Sequence, residues 1–199
     1  MTFIRGQSCE LRVLEGTDAE ARAWEQGVMG NLELRHMWTG SLPMRWIDIK
    51  AVWENERKAR SVEFGIWKRN DKTSCPHAFG LCDSHWCSMD LIGTCGLYSY
   101  REVYRSMEFR ILLWAEHGHG IGAEATRLVV DYGFKRLNLH RIWLGVHEQN
   151  ERAIKCYTKV GFITEGRQSD GVFTHGKYHD TIQMRVLEDE WKSFSQAKA

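Results

Sequence analysis

Proline is scarce in this chain: Pro43 and Pro76 are the two among 199 residues, and no stretch rich in Gly, Ser or one charge sign separates two halves. Nothing reads as a linker, so the length predicts one domain over residues 1–199 with one sizeable core. Long apolar runs are lacking too. The longest, Ile111 to Ala115 and Ile142 to Val146, hold five residues each, against the ~20 needed to cross a bilayer, so no membrane partner is expected. Charge of one sign is also missing: 27 Lys and Arg stand against 26 Asp and Glu, a net charge of +1. Without a broad positive field, nucleic acid is not expected as a partner. Residues 1–12 lack the apolar core of a secretory signal, which predicts a cytoplasmic location and six cysteines kept as thiols.

What the sequence does contain is a series of short periodic segments. Leu11 to Leu14 predicts a strand, and Thr17 with Glu20 a capping box that opens a helix with Ala21, Trp24 and Val28 on one face. Trp46, Ile49 and Trp53 recur at helical spacing within residues 44–60. Strands are predicted near Val62 to Trp67 or Ala78 to Leu81, then at Leu91 to Leu97 and Glu108 to Trp114. A helix from Gly122 to about Leu137, a buried strand Arg141 to Val146, and a helix capped by Asn150 and closed by Gly161 follow. Phe162 to Gln168 and Thr181 to Leu187 predict a hairpin. Strand, helix, strand, helix between residues 108 and 161 demands a parallel pair, hence an α/β or α+β sheet of mixed direction.

Residues 117–123, His-Gly-His-Gly-Ile-Gly-Ala, fall where a strand ends and a helix begins. Glycines let the backbone turn tightly and approach a ligand, and the helix start offers free N–H groups to an anion. A dinucleotide fingerprint would need an acid ~20 positions later, and residues 138–146 contain none. No lysine follows in the P-loop arrangement, so NAD and ATP are weak readings.

This loop resembles the pyrophosphate loop of the Gcn5-related N-acetyltransferase (GNAT) superfamily, whose Gln/Arg-x-x-Gly-x-Gly/Ala pattern falls on His117, Gly120 and Gly122, with histidine departing from the usual first residue. Asn150, Ala153, Tyr157, Gly161 and Phe162 resemble the family's Asn-x-x-Ala-x-x-x-Tyr-x-x-x-Gly-Phe helix. Leu91 to Leu97 and Met107 to Leu113 resemble the third and fourth strands of the branch acting on ribosomal-protein N-termini and similar amines, and Gly176 to Asp180 and Met184 to Trp191 resemble that branch's closing strand. The likeness covers residues 11–191 and is strongest after Leu91. It implies a GNAT-like mixed, mostly antiparallel sheet of about seven strands, with a central splayed parallel pair and about four helices.

The resemblance further implies an acyltransferase, with acetyl-CoA as donor and no metal, moving an acetyl group to a primary amine by direct transfer in a ternary complex. The acceptor would be a small-molecule or peptide amine: a protein N-terminus, a polyamine, an amino sugar or an aminoglycoside. A homodimer is left open. The pantetheine arm would pair with backbone groups of Ile111 and Leu113, and amides of His117, Gly118, His119, Gly120, Ile121, Gly122 and Ala123 would hold the pyrophosphate. Asn150 caps its helix and could also touch the donor. Glu108 stands where a carboxylate would take the ammonium proton, and Tyr157 where a phenol would protonate the departing sulfur. Arg110 replaces what is often a small residue, which could narrow the site.

Two other classes compete. One is a non-catalytic acyl-CoA-binding sensor or interaction module. The other is a zinc protein built on Cys75, His77, Cys82, His85 and Cys87, but these lack a paired Cys-x2-Cys knuckle. Of nine tryptophans, Trp24, Trp38, Trp46, Trp53, Trp67 and Trp86 precede residue 90. Core packing is their default role, and some could line a pocket for a cationic amine.

Overall fold

Elements form where the side-chain period and the local caps agree. The computed structural model of the protein describes residues 3–29, 46–69, 89–115 and 118–196. Among them the order is β1 (Phe3–Arg5), β2 (Glu10–Val13), α1 (Asp18–Met29), α2 (Trp46–Lys58), β3 (Val62–Arg69), β4 (Met89–Arg101), β5 (Ser106–Leu113), α3 (Ile121–Arg136), β6 (Arg141–His147), α4 (Glu151–Val160), β7 (Ile163–Thr174), β8 (Lys177–Leu187) and α5 (Glu188–Gln196). Eight strands make one sheet in the order β1-β2-β3-β4-β5-β6-β8-β7. Each neighbouring pair is antiparallel except β5 and β6.

The caps expected from the sequence are in place. Thr17 N–H donates to Glu20 Oε2 at 2.8 Å while Glu20 N–H donates to Thr17 Oγ1 at 3.2 Å, the reciprocal pair that opens α1. Asn150 Oδ1 accepts from Ala153 N–H at 3.1 Å, and Gly161, at φ 112°, closes α4.

Side chains alternate across the sheet and bury both of its faces. Phe64, Leu97, Phe109, Ile142 and Leu144 point to one face, beneath Val129, Val130 and Phe134 of α3, Val160 of α4 and Trp191 of α5. On the other face, Leu112 joins Ala21, Trp24 and Val28 of α1 and Ile49 and Trp53 of α2. The mixed, mostly antiparallel α/β architecture is therefore the one expected, with eight strands and five helices among the described residues where about seven and about four were anticipated.

Two differences have local causes. The closing segment Met184 to Trp191 is not one strand: β8 ends at Leu187, and Glu188, Asp189 and Glu190 form the acidic first turn of α5, with Glu190 Oε2 accepting Leu187 N–H at 3.0 Å. The hairpin is also longer than predicted. Asp170 and Gly171 suggest a turn in the sequence, but the strand runs through them as an irregularity between Gln168 and Val172 and turns at His175–Gly176, both with positive φ (50° and 76°). Ala78 to Leu81, the alternative to Val62–Arg69 as third strand, lies outside the described residues.

Candidate active site

The parallel pair holds together for three positions: Ser106 with Arg141, Met107 with Ile142 and Glu108 with Trp143. β5 then continues to Leu113 and β6 to His147 without pairing to each other, so the sheet opens after Glu108. Trp114 N–H donates to Ile92 O on β4 at 3.1 Å. By the alternation of an antiparallel ladder, the peptide groups of Ile111 and Leu113 turn away from β4 and toward the opening. An extended ligand lying there would meet unpaired backbone donors and acceptors.

The glycine loop stands at the far end of β5. Gly118 and Gly120 hold φ of 89° and 79°, and a Cβ at either would meet nothing within 4 Å. Both are exposed, as is His119. Gly120 caps α3 without a side-chain hydrogen bond, so the first amides of the helix are free of a capping oxygen. Ile121 buries its side chain in the core and can offer only its backbone. Gly122 brings the helix start against β5, where a Cβ would lie 3.2 Å from Leu113 Cδ1. The one acid of that turn, Glu124, is drawn aside by Gln7 and Ser8, whose N–H groups donate to its carboxylate. His117 lies outside the described residues, as do Trp38, Trp86 and the whole Cys75 to Cys87 cluster.

Tyr157, on α4, packs its ring edge-on to Phe109 at 6.3 Å and 5.9 Å from Phe162. Phe109 is the first residue of β5 after the last paired position, so this contact sets the phenol beside the point where the strands part. Burial, with a smaller push from the neighbouring Cys156, holds the phenol well above its ordinary pKa, and it stays protonated. Burial likewise raises the Cys156 thiol, which weakens it as a nucleophile.

Glu108 is half-buried on the α1–α2 side and accepts from Arg110 Nη2 at 2.7 Å. Arg110 lies over the Tyr98 ring at 4.9 Å. Burial alone would lower the guanidinium pKa, but the hydrogen bond and charge of Glu108 leave it raised. Any second cation approaching this carboxylate would have to share it with Arg110 or displace Arg110 from it. The sequence resemblance pointed to Glu108 but not to this partner.

Two groups were missed by sequence reasoning altogether. Glu63 is half-buried beneath α2, where its carboxylate accepts hydrogen bonds from Tyr98 and Trp53. Its neighbours Phe64 and Ile66 read as an ordinary half-buried strand, and the signal lay in the second layer of helices, which buries the alternate face as well. His147, at the end of β6, lies with its ring 4.7 Å from that of His179 at a tilt of 44° and accepts Gln149 N–H on Nδ1 at 3.2 Å, leaving Nε2 buried without a partner. Burial first, and His179 second, lower its pKa. Among the described residues no group of three or more His, Cys, Asp or Glu could hold a metal ion, and no helix is long and apolar enough to cross a membrane.

A family profile for the acetyltransferase (GNAT) domain matches residues 10–163. Spermidine N(1)-acetyltransferase of Escherichia coli (strain K12) is 35% identical over 106 residues, which are 53% of this chain and 57% of that protein. The match thus spans little more than half of that relative. A probable N-acetyltransferase of Bacillus subtilis (strain 168), YjcK, is 31% identical over 190 residues, 94% of this chain and 98% of its own length. Among solved structures, spermidine N-acetyltransferase from Vibrio cholerae in complex with CoA and spermine matches with a TM-score of 0.73 at 23% identity, covering 94% of this chain and 99% of that one. At that identity the likeness is one of fold.

Proposed function

Because the chain belongs to the GNAT acetyltransferase family, we propose that it is an acetyl-CoA-dependent N-acetyltransferase that moves the acetyl group directly onto a primary amine of the polyamine class. One observation carries this reading: β5 and β6 part after Glu108, with an exposed glycine turn and an uncapped helix start at the far end of the same strand. That combination suits a long, thin donor with an anionic end. The polyamine class is supported by the spermidine acetyltransferase among the relatives and by Glu108 on the acceptor side.

In this reading the amides of residues 118–123 and the exposed His119 hold the pyrophosphate, and the outward peptide groups of Ile111 and Leu113 hold the arm. Asn150 serves α4 as its cap, with donor contact as a second role. The thioester supplies an activated acetyl group. Glu108 takes the ammonium proton, directly or through one water, so that the neutral nitrogen can attack the carbonyl carbon. As the carbon–sulfur bond breaks, Tyr157 gives its phenolic proton to the sulfur and regains one from solvent.

Thiol release from acetyl-CoA, measured against polyamines, peptides with free N-termini, amino sugars and aminoglycosides with an acceptor-free baseline, tests the proposal. Release with polyamines above all others is expected. Selective release with another amine would replace the acceptor class. The 2.7 Å Arg110–Glu108 pair, which occupies the proposed base, favours a second reading as an acyl-CoA sensor without turnover. Donor binding with no release above baseline would decide for it.

A further inference from the structure

Three adjacent strands carry a side-chain chain that the reaction described above does not use. The register sets Glu63 of β3 opposite Gly96 of β4, Gly96 opposite Arg110 of β5, and Tyr98 opposite Glu108. Alternation puts all of them on the α1–α2 face. Gly96 can carry no side chain: a Cβ there would lie 2.4 Å from Val62 O, 3.0 Å from the Tyr98 hydroxyl and 3.1 Å from Glu63 Cα. That bare position lets the Tyr98 phenol fold back toward β3. Its hydroxyl meets Glu63 while its face carries the Arg110 guanidinium at 4.9 Å. One ring thus joins a half-buried acid to the cation that holds Glu108.

We propose that Glu63 is a positioning residue for the acceptor amine, acting across Tyr98 on Arg110 and so setting how freely Glu108 meets the incoming cation. The inference rests on the N-acetyltransferase reading. The groups facing Glu63 are Glu56 from α2, Tyr98 from β4 and Arg110 from β5, with Glu108 beyond it; the Cys95 thiol feels its charge from the opposite face of the sheet. Burial raises the Glu63 pKa from 4.5 to about 7; hydrogen bonds from Tyr98 and Trp53 and the charge of Arg110 oppose the rise, and Glu56 adds to it. Protonated, Glu63 leaves Arg110 and Glu108 as a neutral pair. Ionised, it draws on the same guanidinium and adds a negative charge to the acceptor wall. Cation binding should strengthen as pH rises through about 7.

The test compares the acceptor KM of the parent, Glu63→Gln and Glu63→Asp between pH 6 and 8.5, using the polyamine that supports release. Glu63→Gln, fixed in the neutral form, should match the parent at the acid end and show a KM raised roughly 10-fold at the alkaline end, with kcat changed less. Glu63→Asp should restore the pH dependence. If Glu63→Gln follows the parent across the range, the inference is wrong. A ligand-free measurement separates this from failure of the functional reading. Since the folded pKa lies above the ordinary 4.5, the parent should lose thermal stability relative to Glu63→Gln as pH rises from about 4.5 to 7, then level off. Parallel melting profiles would overturn the assigned ionisation; absence of release with every amine, beside divergent melting profiles, would overturn the N-acetyltransferase reading instead.

Discussion

The two sides of the opening between β5 and β6 are made of different material. Toward α3, the proposed donor side is backbone: peptide groups of Ile111 and Leu113, a turn at Gly118 and Gly120, and the first amides of a helix. Toward α1 and α2, the proposed acceptor side is side chain: Glu63, Tyr98, Arg110 and Glu108, each meeting the next. Backbone built by turn and helix geometry tolerates wide change in side chains, which explains how histidine can stand at positions 117 and 119 of such a loop. A network of side chains has no such freedom, because its charges are set by one another. A change on the proposed acceptor side should therefore act through its neighbours, whereas one on the proposed donor side should act through the space that it fills.

The largest effect should come from Tyr157, the proposed acid beside the point where β5 and β6 part. Tyr157→Phe removes the phenolic proton while keeping the ring against Phe109 and Phe162. Turnover should fall ~10² to 10⁴-fold with donor affinity nearly unchanged. Because burial raises the phenol pKa, the parent's kcat should show no alkaline fall up to about pH 10, where an ordinary phenol ionises. Near-parent turnover in Tyr157→Phe would make the ring structural.

Next in size is the acceptor-side carboxylate. Glu108→Gln should lower turnover by ~10²-fold near neutral pH, with partial recovery at alkaline pH as free amine becomes abundant. The recovery separates it from Tyr157→Phe, where leaving-group protonation is lost at any pH. An unchanged pH–rate profile in Glu108→Gln would assign the proton to water or another group.

The donor side should break by bulk rather than by charge. Gly120→Trp should weaken acetyl-CoA binding by ~10-fold or more in calorimetry, because open space around a Cβ at this position is what lets a ligand approach. Gly120→Ala carries the same backbone strain at φ 79° without the bulk, so the difference between the two variants isolates the approach. Equal binding by Gly120→Trp and the parent would place the anion elsewhere.

This contrast also decides what could be read from the sequence. The turns and caps that frame the proposed donor side were legible, since glycine spacing, an N-cap at Asn150 and a C-cap at Gly161 act over a few residues and leave a pattern in the chain. So was the parallel pair, which follows from strand and helix order. The acceptor side was legible only through resemblance, and then only at Glu108. Neither Arg110's hold on it nor the burial of Glu63 could be seen, because both depend on register among β3, β4 and β5 and on α2 covering the alternate face. The α5 start was misread as strand for a simpler reason: Met184 to Leu187 is strand, and the acids that follow mark a helix only once the chain is known to turn there.

The smallest effect offers the sharpest check on how far the two sides are independent. Thr17 and Glu20 cap α1 reciprocally, and α1 packs through Trp24 and Val28 on the acceptor face, away from the glycine loop. Thr17→Ala removes the two hydrogen bonds of the Thr17 hydroxyl, leaving the one from its N–H to Glu20, and should cost about 1 kcal/mol. For a chain of this size that is a drop of roughly 2–4 °C in the melting temperature. If the sides are independent, acetyl-CoA affinity will not change, while the acceptor KM can rise modestly as α1 frays at its start. A matching loss of donor affinity, measured by calorimetry at a temperature where the variant remains folded, would show that strain passes through the sheet from α1 to α3, and the division into a backbone side and a side-chain side would fail as a description of how the site works.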